Sequence, residues 1–502
     1  MSVMREIFSG TAWAVAARWI IRAIGLVSIV VLARLLSPAD FGIVAMAIFV
    51  VGLIEVLGDA GLALQIIRHP DPRHGELNTV FTLELLIGLG LSAAMILVAP
   101  FGAAFFHEPR LTWVIRALAL RPLLTGLQNP AIALFRKHMT FNKDFEFLVL
   151  NKVVSFFIVL ALAFTLRDYW ALVIGTLAAS LISTLQSYRM HPFRPRLQLS
   201  AVREIWGFSF WILVQNLFGF LDVHADRLVI GRINSTVLMG YYTVAGDTAF
   251  APVREVVMPI TRVLFPGVVR MRGDRTALAA SFDRVLSSVA IAALSISAGV
   301  ALIANDASTV FFGPGWTGLG PLLGILAISE ALSALSQPLY TTLNALGRPR
   351  VVAGLNVVRL ILLLATAVPA AVYAGVQAVA MARLAVGAVT FVLMLLLQGR
   401  LLRLGPLRLW HSLGRPLLAT LAMAGVVLLV QDAAPGTPAL RLALSVAAGA
   451  VAYPVALLLL WQASSHPPGI EADLLSVATA YFRRRGWGAQ PTLRPLERRG
   501  PG

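Results

Sequence analysis

The sequence predicts an all-α integral membrane protein with about 14 transmembrane helices. Hydrophobic residues make up 58% of its 502 positions, and apolar runs of about 20 residues, enough to cross a bilayer as a helix, recur along the chain. The loops between these runs are alternately rich and poor in arginine. The predicted segments, numbered 1 to 14, are 11–35, 40–65, 78–104, 111–135, 145–166, 169–188, 204–232, 236–266, 281–304, 319–346, 351–373, 376–398, 413–431 and 438–462.

The distribution of basic residues predicts the orientation. Loops on one side hold most of the arginines, whereas the opposite loops offer Arg110 and Arg167, with Arg232 and Arg441 at segment edges. Because arginine-rich loops stay in the cytoplasm, both termini are predicted to be cytoplasmic and the location to be a bacterial inner membrane. The net charge of +17 then belongs to these loops and does not predict a nucleic-acid partner.

The composition also limits the chemistry. The chain has no cysteine and only eight histidines, which lack the spacing of a metal site, so we predict no cofactor and no metal. The longest outer loop carries one acidic residue, Asp306, and no nucleophile motif occurs, so we predict that the chain is not an enzyme.

An internal repeat is offset by about 200 residues, as expected of two similar halves in one orientation. Matching residues follow segments 1 and 7, namely Arg34, Ser37 and Gly42 against Arg232, Ser235 and Gly240. The repeat predicts two six-helix lobes plus two C-terminal helices. The predicted domains are 1–200 (N-lobe), 201–400 (C-lobe), 401–463 (segments 13 and 14) and 464–502 (a basic, disordered cytoplasmic tail).

Several motifs resemble the polysaccharide flippases of the multidrug/oligosaccharidyl-lipid/polysaccharide exporter superfamily, in particular the Wzx-type, colanic-acid-exporter-like branch. The motifs are Ala33–Ala47, Asp59–Leu62, Arg136–Phe141, Asp226–Arg232, Gly240-Tyr241, Gly313–Trp316 and Ala345–Arg348.

This resemblance implies translocation of an undecaprenyl-pyrophosphate-linked oligosaccharide to the periplasmic leaflet, for O-antigen, capsule or exopolysaccharide synthesis. It implies two lobes around a central cavity that alternate their access without ATP hydrolysis. The expected partners are this lipid-linked substrate, membrane lipids, and the polymerase and chain-length proteins of the same pathway.

Charges inside the first hairpin suggest ion pairs. Arg18 and Arg22 lie one turn apart on segment 1, and Glu55 and Asp59 do so on segment 2. If the two segments are antiparallel neighbours, Arg22 is level with Glu55 and Arg18 with Asp59. The pairs either serve only to neutralise charge in the membrane or form a ladder that opens during transport and frees its arginines for substrate phosphate.

The remaining intramembrane charges are mostly cationic, as a pyrophosphate ligand requires. Each arginine either lines the cavity or pairs with another helix, and Arg121 with Glu330 is one pair of compatible depth. The predicted substrate-binding residues are Arg22, Arg121, Arg359, Arg18, Arg254 and Arg383, and the predicted coupling or gating residues are Glu55, Asp59, Asp222 and Glu330.

One alternative remains open within the same superfamily, a cation-coupled antiporter of drugs or metabolites. Such a protein exports cations and would favour an acidic cavity, so the arginine excess favours the flippase.

Overall fold

The computed structural model is built from long helices and describes residues 2–58, 66, 74–138, 140–200, 210–270, 274–402, 405–434 and 436–464. Short helical turns at 130–137 and 304–316 join the labelled elements. The labelled helices are α1 (Ser2–Leu35), α2 (Pro38–Gly58), α3 (His74–Phe106), α4 (Leu111–Leu118), α5 (Leu120–Gly126), α6 (Phe141–Leu166), α7 (Trp170–Met190), α8 (Phe210–Ile233), α9 (Thr236–Arg270), α10 (Arg275–Leu302), α11 (Leu319–Ala345), α12 (Pro349–Tyr373), α13 (Gly375–Leu402), α14 (Pro406–Ala433) and α15 (Pro438–Ala463).

Eleven helices in the described part of the chain are long and apolar enough to cross a membrane. The chain is therefore a multi-pass membrane protein, as the hydropathy pattern predicts. Predicted segments 4, 7 and 8 are not among the eleven. Helices α8 and α9, which correspond to segments 7 and 8, are long enough, so it is their polar composition that sets them apart.

Segment 4 is broken into short helices where a single span was predicted. Helix α4 ends at Leu118 and α5 begins at Leu120, which places Pro122 in the first turn of α5. A proline ring clashes with the carbonyl four residues earlier, here that of Leu118, so an uninterrupted helix is disfavoured at this point.

The helices of the first half (α1–α7) and of the second half (α8–α13) pack in the same order. Helix α1 packs on α6, α6 on α7, α7 on α5, α5 on α3, and α3 on α2. In the second half α8 packs on α12, α12 on α13, α13 on α11, α11 on α10, and α10 on α9. Helices α14 and α15 pack on each other, and α14 packs on α10. This parallel order of contacts is what a repeated six-helix unit produces.

The two halves meet where α2 crosses α9. We call the ends of the helices at which α1 meets α2 the outer ends, after the predicted orientation. A methyl group on Gly42 would clash with the Thr236 carbonyl oxygen, and one on Gly240 would clash with that of Pro38. Gly42 and Gly240 are equivalent in the sequence repeat, so the contact is reciprocal, as at a two-fold axis.

Further contacts close the outer ends. Arg34 Nε donates to the Phe311 carbonyl oxygen at 2.9 Å, and Trp316 Nε1 donates to that of Ala33 at 2.7 Å. Arg232, the repeat equivalent of Arg34, lies with its Nη1 2.8 Å from His107 Nε2. Each half thus ties the end of its first helix to a loop of the other half.

The glycine contact predicts a position-specific response to a single methyl group. Gly42→Ala would force the α2 and α9 backbones apart and should destabilise the protein by about 1–3 kcal/mol, as overpacking does. Thermal unfolding in detergent measures this change. Gly425→Ala is the control, because a methyl group there meets no atom within 4 Å. Equal melting temperatures for the two variants would contradict the tight crossing.

Candidate functional site

A cavity of about 740 Å³ opens between α1, α6 and α9. Its volume falls within the range of small-molecule sites, about 300–1,000 Å³. Four basic and two acidic side chains line it, so its charge is net positive. They are Arg18, Arg22, Arg136, Lys152, Asp144 and Glu255.

Glu255 is the counter-ion of two cavity arginines. Arg22 Nη2 lies 3.1 Å from Glu255 Oε1, and Arg18 Nε lies 3.8 Å from Glu255 Oε2. The Glu255 side chain is 13% exposed. The two arginines belong to α1 in the first half and Glu255 to α9 in the second, so these ion pairs join the halves.

The predicted pairing of Arg22 with Glu55 is therefore wrong. That pairing requires α1 and α2, which are consecutive in the sequence, to be neighbours in the fold, but α1 packs on α6. Glu55 instead accepts from Arg121, whose Nη1 lies 3.2 Å from Glu55 Oε2. Asp59, the predicted partner of Arg18, lies outside the described residues.

The suggested pair of Arg121 with Glu330 is also wrong. Glu330 is buried on α11 and pairs with Arg254 of α9, whose Nε lies 3.2 Å from its Oε1. The Arg254 side chain is 48% exposed. Because α9 packs on α11 within the second half, this pair needs no partner from the first half.

Two further pairs are enclosed in the second half. Arg359 Nη1 lies 3.4 Å from Asp222 Oδ2, with the arginine side chain 16% exposed. Arg383 Nη1 donates to Asp226 Oδ2 at 2.5 Å, and the Tyr242 hydroxyl donates to the same oxygen at 2.5 Å. Both members of this last pair are buried.

The predicted binding residues therefore lie in different parts of the structure. Arg18 and Arg22 share the cavity, whereas Arg121 lines a separate pocket in the first half. Arg359 and Arg383 pair with aspartates of α8, and of the two only Arg383 is buried. The ligand and gating roles of all these residues remain predictions.

Sequence reasoning missed the importance of Glu255. It directly follows Arg254, so in the sequence its charge already has a neighbour of opposite sign. Its partners on α1 are 233 and 237 positions away, and no spacing in the sequence links them. Only the packing of the two halves identifies this side chain.

Comparisons with known proteins place these features in a family. Residues 31–321 match the family described as polysaccharide biosynthesis protein. The chain is 27% identical over 386 residues to the lipopolysaccharide biosynthesis protein WzxC of Escherichia coli K12, covering 75% of this chain and 77% of that one. It is 25% identical over 349 residues to the succinoglycan biosynthesis transport protein ExoT of Rhizobium meliloti, covering 68% and 70%.

A solved structure shows the same fold. The lipid II flippase MurJ, in an inward closed conformation, superposes with a TM-score of 0.74 over 90% of this chain and 99% of its own, at 12% sequence identity.

The buried ion pair of Arg383 with Asp226 should contribute strongly to the stability of the protein. Asp226→Asn leaves the Arg383 charge buried without its counter-ion and should destabilise the protein by about 3–5 kcal/mol. The pair of Glu108 with Arg110 on the outer loop is the control, because Arg110 is half exposed to solvent and stays hydrated when its partner is neutralised, so Glu108→Gln should cost at most about 1 kcal/mol. Thermal unfolding in detergent compares the two. If Asp226→Asn is as stable as Glu108→Gln, the pair does not hold the second half together.

Proposed function

Because this chain belongs to the Wzx-type polysaccharide transporters of the multidrug/oligosaccharidyl-lipid/polysaccharide exporter superfamily, we propose that it is a flippase for a lipid-linked oligosaccharide. It moves an undecaprenyl-pyrophosphate-linked repeat unit from the cytoplasmic to the periplasmic leaflet. The observation that carries this proposal is the basic cavity between α1, α6 and α9. The similarity to ExoT, a succinoglycan biosynthesis transport protein, and the fold shared with MurJ, a lipid II flippase, support it.

The cavity side chains suit a pyrophosphate. A guanidinium group keeps its charge and offers parallel N–H donors that match two phosphate oxygens. Arg18 and Arg22 lie one turn apart on α1, and Lys152 lines the same cavity from α6. Three cationic groups from two helices therefore converge on a space that a phosphate group can enter.

Glu255 gives these arginines a partner when no substrate is bound. A free guanidinium in a membrane protein is costly, and a carboxylate at 3.1 Å from Arg22 offsets that cost. An incoming pyrophosphate replaces one anion by another, so the arginines are never left without a counter-ion. The exchange makes binding selective for anions.

The same exchange connects binding with movement. Glu255 belongs to the second half and its arginines to the first, so displacing it breaks ion pairs between the halves near the cavity. Release on the other side of the membrane requires the outer contacts of Gly42, Gly240 and Trp316 to separate. Alternating access then consists of exchanging one set of contacts between the halves for the other.

We propose the same topology that the repeat predicts, in which 14 spans form two six-helix lobes and two additional helices. The protein would then lie in the inner membrane with both termini cytoplasmic, beside the polymerase and chain-length proteins of its pathway. An antiporter of cationic drugs is less well supported, because basic side chains outnumber acidic ones in the cavity.

Deletion of the gene should leave the substrate in the cytoplasmic leaflet. In a strain without the gene, undecaprenyl-pyrophosphate-linked oligosaccharide should accumulate in the cytoplasmic leaflet, and the intact gene should clear it. Arg22→Gln and Arg18→Gln should leave most of it in place, because each removes a phosphate-binding charge. Leaflet-resolved mass spectrometry of extracted lipids measures the accumulation.

Arg110→Gln is the matched control, since this arginine lies on an outer loop with Glu108, away from the cavity. It should restore clearance fully. Accumulation in the periplasmic leaflet would contradict the proposal and indicate polymerisation or ligation. No accumulation, together with altered resistance to cationic drugs, would favour the antiporter.

A further inference from the structure

A second pocket lies within the first half, among α5, α6 and α7. It has a volume of about 370 Å³, and hydroxyl and amide side chains dominate its lining. From this lining we propose that the pocket binds uncharged sugar residues of the translocated lipid, an inference that rests on the proposed function. The polar groups concerned are Gln128, Asn151, Thr176, Ser180, Ser183 and Thr184.

The polar lining turns away from the lipid. On α7 the side chains of Ile174, Leu181 and Leu185 are 39%, 45% and 56% exposed. At about 100° per residue, Thr176 and Ser183 lie on the opposite side of this helix. Polar groups facing hydrocarbon would be costly, whereas polar groups facing the interior of a lobe can line a path for a polar substrate.

The pocket carries no net charge, because its arginine is paired with a carboxylate. Arg121 is its one charged lining residue, and Glu55 neutralises it at 3.2 Å. The neighbouring cavity, by contrast, has an excess of basic side chains. The cavity therefore suits the pyrophosphate, and the pocket suits the uncharged, hydroxyl-rich part of the same molecule.

The hydrogen bonds inside the pocket leave capacity for a sugar. The Thr176 hydroxyl donates to the Leu172 carbonyl oxygen at 2.8 Å, so its oxygen can still accept from a sugar hydroxyl. Asn151 Nδ2 donates to the Ala179 carbonyl oxygen at 3.1 Å, and an amide group has a second N–H and an oxygen besides. The lining can therefore both donate and accept.

The pocket and the cavity adjoin on α6. Asn151 lines the pocket, and the next residue, Lys152, lines the cavity. Successive side chains on a helix point about 100° apart, so the two sites lie on adjacent faces of one helix. A sugar joined directly to a pyrophosphate matches this arrangement.

Binding of two purified probes to the full chain in nanodiscs tests the inference. One probe is undecaprenyl pyrophosphate, and the other is the lipid-linked oligosaccharide fraction extracted from a strain without the gene. Thr176→Val and Asn151→Leu should weaken binding of the oligosaccharide fraction by about tenfold, the loss expected for one or two hydrogen bonds. Binding of undecaprenyl pyrophosphate should not change, which also shows that each variant is folded.

Thr366→Val is the matched control. Its hydroxyl donates to the Leu362 carbonyl oxygen at 2.8 Å, as Thr176 does to Leu172, but it lies on α12 outside the pocket. It should bind both probes as the unaltered chain does. Pocket variants that bind the oligosaccharide fraction normally, or lose both probes equally, would overturn the sugar site and leave the flippase proposal intact. An unaltered chain that binds neither probe would overturn both.

Discussion

The cost of an unpaired charge in a membrane governs how this protein holds together. Each of five acidic side chains pairs with arginine from a different helix. The pairs are Glu55 with Arg121, Asp222 with Arg359, Asp226 with Arg383, Glu330 with Arg254, and Glu255 with Arg18 and Arg22. Four of these acids find their partner within their own half. Glu255 alone among the five bridges the halves, so of these ion pairs only those of Glu255 must break when the halves move apart near the cavity.

The two halves use the same helix order for different tasks. In the first half, basic and polar side chains line open spaces, the cavity and the pocket. In the second half, Arg359 and Arg383 are drawn into pairs with aspartates of α8. Under the proposed function, the first half carries the substrate, while the second half supplies a stable frame and the displaceable carboxylate of Glu255.

Much of the fold could be predicted from the sequence, because hydrophobic length and charge asymmetry act locally. The repeat was visible in Gly42 and Gly240, and these residues meet where the two halves cross. The ion pairs could not be predicted, because they depend on which helices are neighbours. The sequence pattern pairs Arg22 with Glu55 on the consecutive helix, but α1 packs on α6 and its arginines reach Glu255 instead.

The most direct test of the account is the affinity of the purified protein for undecaprenyl pyrophosphate before and after Glu255→Gln, with Glu108→Gln as the control. If substrate anion and carboxylate compete for Arg18 and Arg22, removing the carboxylate charge should tighten binding by about tenfold, or about 1.4 kcal/mol. Glu108→Gln should leave the affinity unchanged. Weaker or unchanged binding by Glu255→Gln would show that Glu255 holds the arginines in place for the ligand or has no part in binding, and would contradict the exchange.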